Sequence, residues 1–328
     1  MTVILDQGRR DQRAAPTGRS GRTGRPWRKG RRVKLLAPLA LLALPAVVIG
    51  ITLAYPLYRQ VVMSFQKYGL AQQFGQPATF VGFNNYATVL SDTEFWAVLA
   101  RSIAFCLIVA ALTMAIGIGM AVLMQRAAPA ARIFLSVCLM LVWAMPAIAS
   151  LTVWQWILDA RLGVLNYLLV HMGFTQFKGY PWLATNPFVF LAIVGVIVLW
   201  GSMPLVTITT YAALTQVGEE TLEAASIDGA GFWNRLRYIV LPIIKPMLFL
   251  IGILQVIWDF RVFTQVYVLQ QSGGNSQSTD VLGTFVYRVG IGQGNYGEAS
   301  ALALIMLGIA LLMTWQYMRT LLKQGDLA

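Results

Sequence analysis

Long apolar stretches recur six times along this sequence. A helix needs about 20 apolar residues to cross a bilayer, and six segments reach or approach that length. They are predicted at Leu35–Tyr58, Ser102–Gln125, Ile133–Leu158, Pro187–Leu214, Met247–Leu269 and Ala299–Met318. The second, third and sixth contain no charged residue, whereas the fifth contains Asp259 and Arg261. The pattern predicts an all-α integral membrane protein with six transmembrane helices.

Composition supports a membrane protein. Of the 328 residues, 57% are hydrophobic and 12% are charged, and the mean hydropathy is +0.65. A soluble domain carries about twice that fraction of charge. The two cysteines, Cys106 and Cys138, lie inside apolar segments, and His171 is the single histidine. We therefore expect neither a disulfide nor a metal site.

The net charge of +12 comes largely from one segment. Eleven of the 25 basic residues lie between Arg9 and Lys34, among Gly, Ser, Thr and Pro. This composition predicts a disordered, basic cytoplasmic tail over residues 1–34. Its positive charge is expected to contact anionic lipid. No folded basic module accompanies the charge, so we expect no nucleic-acid partner. The next apolar run resembles a secretory signal at first but continues to Tyr58, which favours an uncleaved first transmembrane helix over residues 35–65.

Basic residues also predict the orientation. Eighteen lie in the tail and in the connections that share its side, and six lie in the opposite connections. By the positive-inside rule, the side with the excess is cytoplasmic, and both termini lie there. Without the tail the count is seven against six, so the tail dominates this prediction. Residues 66–101 are then an extracytoplasmic loop, and residues 321–328 are a second cytoplasmic tail.

The longest inner loop, residues 216–246, is amphipathic. Its sequence predicts a short helix with acidic residues in its first turn, a glycine break, a second short helix and a proline stop. Ala224 and Ala225 are expected to give a smooth face for another protein. Leu236, Ile239 and Val240 form an apolar stripe. From these features alone, a helix lying on the membrane surface is an equally good interpretation.

The spacing within this loop resembles the EAA signature of ATP-driven importer permeases. The matching residues are Glu223, Ala224, Ala225, Gly229, Ala230, Leu241 and Pro242, with Asp228 in the form common in the carbohydrate branch. The resemblance implies a type I ABC importer permease fold with a permease core over residues 102–320. It also implies that the first short helix couples to a separate ATPase, with Gly229 allowing the turn. The sequence contains no Gly-x4-Gly-Lys-Ser/Thr phosphate loop, so ATP and Mg belong to the partner.

Further segments resemble sugar permeases of the maltose-transporter type. They are Phe80–Tyr86, Gly163–Asn166 and the end of the fifth span, Trp258–Leu269 with Gly273 and Gly274. The last resembles the segment that lines the family's translocation path. There Trp258, Asp259, Arg261, Gln265 and Tyr267 are the candidate pathway residues. Two positions depart from the family pattern, namely Thr264, where Asp is usual, and Arg101, where a small polar or amide residue is commoner.

The resemblance implies a permease subunit of the bacterial inner membrane that imports a di- or oligosaccharide by alternating access. The implied partners are a second homologous permease, two ATP-binding cassette subunits, an extracytoplasmic sugar-binding protein and membrane lipid. The chain itself is expected to catalyse no reaction and to hold no cofactor. The alternatives are the same architecture importing another solute, such as a glycerol phosphate ester, an ion-coupled secondary transporter, and a membrane enzyme. The enzyme alternative is disfavoured, because no two acid–base or nucleophilic groups are predicted to lie at one depth in the membrane.

Overall fold

The computed structural model describes residues 42–43 and 45–325, and these are mostly helical. Five helical segments of this part are long and apolar enough to cross a membrane, and a sharply bent pair of helices makes a sixth. The predicted all-α fold with six spans is confirmed in this form. The described residues fall into two units, and the division lies between Leu57 and Tyr58. The predicted tail, residues 1–34, lies outside the described residues.

Helix α1, Pro45–Ser64, is the first candidate span and contains a π-helical turn at Gly50–Ala54. The start of the predicted span at Leu35 lies outside the described residues. A small cap follows α1, and its elements are β1 (Gln66–Lys67), α2 (Leu70–Gln73), β2 (Thr79–Phe80) and α3 (Asn84–Ser91). The strands pair antiparallel. The buried amide of Asn85 donates to the backbone oxygens of Ser64 and Gln66, at 2.8 and 2.9 Å. Asn85 therefore fixes the cap to the end of α1, which gives Phe80–Tyr86 a structural role.

Helix α4, Thr93–Arg126, is the second span and begins nine residues before its predicted start at Ser102. The Asp92 side chain accepts a hydrogen bond from the Glu94 backbone at 2.8 Å and caps this helix. Glu94 and Arg101 suggested a loop in the sequence because both are charged. The predicted loop 66–101 therefore ends in about two and a half turns of helix.

The prediction of the third span as one helix over Ile133–Leu158 is wrong. The span consists of α5 (Pro129–Ala144) and α6 (Ala147–Ile157), which meet at an angle of 100°. Pro146 causes the break, because a proline disfavours helical geometry in the residue before it. Met145 accordingly has ψ of 129°. After α6, the buried Asn166 of α7 (Val164–His171) donates to the backbone oxygens of Ala160 and Tyr180, both at 3.1 Å.

Helix α8, Pro187–Leu214, is the fourth span and has its predicted bounds. It packs along α4 at two glycines. A methyl group added at Gly117 would lie 2.6 Å from Val206, and one added at Gly195 would lie 3.2 Å from Val109. Small residues allow this close approach between membrane helices.

The fifth span is continuous with the loop that precedes it. Helix α9 (Glu219–Ile227) is followed by α10 (Phe232–Arg235), a π-helical turn (Leu236–Val240) and α11 (Leu241–Phe260). The predicted proline stop is therefore wrong. Pro242 follows the π-helical turn directly, as the second residue of α11, and Pro246 lies inside the helix. The predicted span Met247–Leu269 is instead interrupted at residues 261–263, after which α12 (Thr264–Gln270) begins.

Three further helices complete the described chain. They are α13 (Ser276–Thr279), α14 (Leu282–Tyr287) and α15 (Tyr296–Gly325), with a π-helical turn at Arg288–Gly292. Helix α15 is the sixth span, predicted at Ala299–Met318, and it continues into the predicted tail 321–328.

Candidate functional site

The 216–246 loop begins with the exposed helix α9. Glu219 and Glu220 occupy its first turn, where the helix dipole favours acidic groups. At its other end, Gly229 has φ of +77° and donates to Ser226 O at 3.1 Å, and Ala230 donates to Ala225 O at 2.9 Å. This pair of hydrogen bonds is a Schellman motif, which needs a left-handed residue at the position of Gly229. The predicted glycine turn is confirmed.

The residues of the predicted EAA signature divide between two faces of the loop. Glu223, Ala224 and Asp228 are exposed, whereas Ala225 is buried. The predicted smooth face formed by both alanines is therefore wrong, because Ala225 points inward and only Ala224 is open to a partner. Ala230 and Leu241 are half-buried, and Pro242 is exposed.

A small apolar cluster seats the loop on the helix bundle. Its buried members come from the ends of α4 and α8, from the turn after α8, from the π-helical turn and from the start of α11. They are Ala121, Ala213, Leu214, Val217, Val240 and Ile244. Leu222 of α9 and Leu236 pack against this cluster. This partly confirms the predicted apolar stripe, since Val240 is buried and Leu236 and Ile239 are half-buried.

Two basic residues connect α4 with the neighbouring helices. The guanidinium carbon of Arg126 lies 3.4 Å from the centre of the Phe232 ring. Arg132 donates to Met124 O at 3.2 Å and Ala127 O at 3.3 Å, and lies 5.6 Å from the ring of Tyr211. The sequence assigned both arginines to topology alone, because the aromatic partners are remote in sequence.

The candidate pathway residues lie around the break that follows α11. Trp258 and Arg261 are exposed, and Gln265 and Tyr267 are half-buried. Asp259 is only 2% exposed. One of its carboxylate oxygens accepts a hydrogen bond from Gln255 at 2.9 Å, and the other has no partner among the described residues. Asp259 therefore faces the interior of this chain and is set apart from the other four.

Neither Asp259 nor Arg261 forms a salt bridge within the described part of the chain. The ion pairs there join Arg288 to Glu94 and to Asp280, both at 2.6 Å. This agrees with the expectation that residues two apart on a helix do not face each other. It leaves the Arg261 guanidinium open to a solute or to another subunit.

Three aromatic rings lie beside this segment. Phe263 stacks on Tyr267 with ring centres 5.3 Å apart, and Tyr287 contacts both at 5.6 and 4.8 Å. The hydroxyl groups of Tyr267 and Tyr287 are 3.3 Å apart. Sequence reasoning missed Tyr287 because it lies on α14, twenty residues further on. The cluster offers apolar ring faces and hydroxyl groups on one surface.

A buried polar network supports this surface, and the sequence did not reveal it. Asp280 is 1% exposed, and its carboxylate accepts from Arg288 at 2.6 Å and from Gln270 at 3.1 Å. Its backbone oxygen accepts from Arg101 at 2.8 Å, which accounts for an arginine at that atypical position. Burial lowers the pKa of Arg288, but its bonds to Asp280 and Glu94 outweigh this and raise the pKa above its ordinary value.

These features define a helical membrane protein with several spans. It presents a hydrogen-bonded helical loop, and aromatic and charged groups on an open surface near a broken span. Among the described residues there is no group of three or more His, Cys, Asp or Glu side chains that could hold a metal ion. The arrangement suits docking and passage of a solute.

Comparison with known proteins gives the family. Residues 113–320 match the model of the binding-protein-dependent transport system inner membrane component. The chain is 36% identical over 284 residues to the diacetylchitobiose uptake system permease protein DasB of Streptomyces coelicolor, with 86% of each chain covered. It is 31% identical over 242 residues to the trehalose/maltose transport system permease protein MalF of Thermococcus litoralis, with 73% of this chain and 79% of that chain covered. The chain belongs to this family of inner membrane transport components.

A solved structure supports the fold. This chain aligns with a TM-score of 0.72 to one from a bacterial alginate ABC transporter in complex with an alginate pentasaccharide-bound periplasmic protein. The alignment covers 86% of this chain and 93% of that chain, at 20% identity. The likeness confirms the predicted permease fold. Together with the family, it makes the chain a multi-span transport subunit of the inner membrane, and the predicted family is confirmed.

Proposed function

We propose that this chain is the permease subunit of an ATP-driven importer for a di- or oligosaccharide. The observation that carries the proposal is helix α9, which is exposed, ends in a Schellman motif and is seated on the bundle by Leu222. A helix held in this way can receive force from a partner and pass it to the spans. Glu223 and Asp228 contact the partner, and Gly229 sets the angle at which the loop returns.

The partner is an ATP-binding cassette subunit, which supplies ATP and Mg, because this sequence has no phosphate loop of its own. The complete importer contains two such subunits, a second homologous permease and an extracytoplasmic sugar-binding protein. Two cassette subunits close on ATP and move the coupling loops of two permeases, which opens the path by alternating access. The 216–246 loop and both termini lie on the cytoplasmic side, as the distribution of basic residues predicts.

Two observations support a sugar as the solute. Relatives at 36% and 31% identity are named for the uptake of diacetylchitobiose and of trehalose and maltose. Trp258, Gln265 and Tyr267 provide ring faces and hydrogen-bonding groups of the kind that bind sugar rings and hydroxyls. Asp259 is buried inside the chain, where it accepts a hydrogen bond from Gln255 one turn earlier on α11, and it does not touch the solute.

The decisive measurement uses the whole importer reconstituted in lipid vesicles with its binding protein. A panel of neutral sugars is tested for stimulation of ATP hydrolysis and for uptake. Trp258→Ala should weaken both, and Trp315→Ala is the matched control, since Trp315 is similarly exposed at 57% against 47% but lies on α15. Stimulation by no sugar, or equal effects of the two variants, would contradict the proposal for the solute.

Arg261 favours one alternative solute. Its exposed guanidinium has no salt bridge within the described residues, and it could bind an anion such as a glycerol phosphate ester. Arg261→Gln distinguishes the two cases. Uptake of a phosphate ester would be lost in this variant, whereas uptake of a neutral oligosaccharide would change little.

A further inference from the structure

The 216–246 loop has a rigid internal connection between its two short helices. The Schellman turn at Gly229 fixes their relative direction, and Arg235 donates a hydrogen bond to the hydroxyl of Ser226 across the turn. A displacement of α9 therefore also displaces α10. This matters only if α9 docks on an ATPase, so the inference below rests on the proposed function.

The displacement has a direct route into the fifth span. From Phe232 to Phe260 the chain is helical throughout, including the π-helical turn, and this distance is about 43 Å at 1.5 Å per residue. The helix ends beside Trp258 and Arg261. Movement at the loop is thus carried by covalent structure to the candidate pathway.

The second span has no such covalent link to the loop. Helix α4 ends at Arg126, and the guanidinium carbon of Arg126 lies over the ring of Phe232 of α10, 3.4 Å from its centre. At its far end α4 carries Glu94 and Arg101, which hold Arg288 and Asp280 beside the aromatic cluster. A contact at Arg126 therefore connects the loop to both elements that frame the candidate pathway.

We propose that Arg126 and Phe232 form a positioning pair that makes α4 move with α11 when the ATPase moves the loop. The guanidinium supplies a cation and a flat surface for the ring, and both side chains are near solvent, where ATP-driven motion begins. If Arg126 served only to orient the chain in the membrane, its charge alone would matter. If it acts as half of this pair, transport also requires the ring of Phe232.

The test measures uptake per ATP hydrolysed in the reconstituted importer. Arg126→Gln and Phe232→Leu should each lower this ratio by about two- to five-fold, as expected for the loss of one exposed cation–π contact. In the double variant the ratio should be no lower than in the more impaired of the two single variants, because both changes remove the same contact. Phe232→Tyr keeps the ring and should keep the ratio. Arg319→Gln, which removes a cation 5.0 Å from Trp315 on α15, is the matched control and should also keep it.

Three outcomes would overturn the pair. They are a ratio in Arg126→Gln equal to that in Arg319→Gln, additive effects in the double variant, and loss of the ATPase subunits from the purified variant complex. The third would show that the contact serves assembly instead of transmission. Failure of the proposed function gives a different result, because then even the unchanged chain would not purify with an ATPase or show ATP-driven uptake.

Discussion

Replacing Gly229 by alanine tests whether the 216–246 loop depends on one backbone conformation. Gly229 has φ of +77°, and a methyl group added there meets no atom within 4 Å. The substitution therefore creates no clash, and its effect comes from the left-handed conformation alone. That conformation costs about 1–2 kcal/mol in a residue with a side chain. This energy changes a conformational equilibrium by a factor of roughly 5–30.

Gly231 provides a matched control two residues away. It also has open space around an added methyl group, but its φ of −64° suits any residue. We expect Gly229→Ala to lower uptake by up to roughly 30-fold and Gly231→Ala to leave it unchanged. Gly229→Asn should be intermediate, because asparagine tolerates the left-handed region better than alanine does.

The assay is solute uptake in vesicles, normalised to the amount of chain in the membrane and to the ATPase subunits that purify with it. Equal uptake by Gly229→Ala and Gly231→Ala would refute the argument. So would a loss of Gly229→Ala from the membrane, since the glycine would then serve folding. A bulky residue at Gly229 should abolish uptake while the chain remains in the membrane.

Two further predictions concern stability and are checked by the thermal midpoint of the purified complex. Asp280→Asn breaks a buried pair with Arg288 and should destabilise the complex by about 3–5 kcal/mol. Glu94→Gln at the more exposed pair should cost at most about 1 kcal/mol. Equal losses of stability in the two variants would contradict the assigned burial. Gly117→Ala should cost about 1–3 kcal/mol of stability, because the added methyl group would lie too close to Val206. At Gly119 an added methyl group meets no atom within 4 Å, so Gly119→Ala should be tolerated. A tolerated change at Gly117 would show that α4 and α8 separate easily.

The ends of a span could be predicted where a capping residue, a proline or the end of an apolar run lies at the boundary. The fourth span begins at Pro187 after Asn186, whose side chain accepts from the Phe188 backbone at 2.7 Å, and the apolar run ends at Leu214. The start of the second span was missed because Glu94 and Arg101 suggest a loop. Their partners lie 194 and 179 residues away, respectively, and no local pattern reveals them.

The bend of the third span and the burial of Asp259 show two further limits. Hydropathy alone reads the run through Pro146 as one span, although the effect of proline on Met145 was available in the sequence. The charge of Asp259 suggested a pathway residue, but charge does not specify which side of a helix faces the neighbouring spans. Packing against α4, where Cys106 bonds to Val256 O at 3.1 Å, determines that direction.

The exposure of the candidate pathway residues bears on the proposed pairing with a second permease. Trp258 is 47% exposed, Tyr287 is 36% exposed, and Arg261 is also open. Binding sites for small molecules usually bury about 70–90% of the ligand, which an open surface on one chain does not achieve. A solute at these residues would be enclosed only if another surface faced them. The proposed second permease would supply that surface.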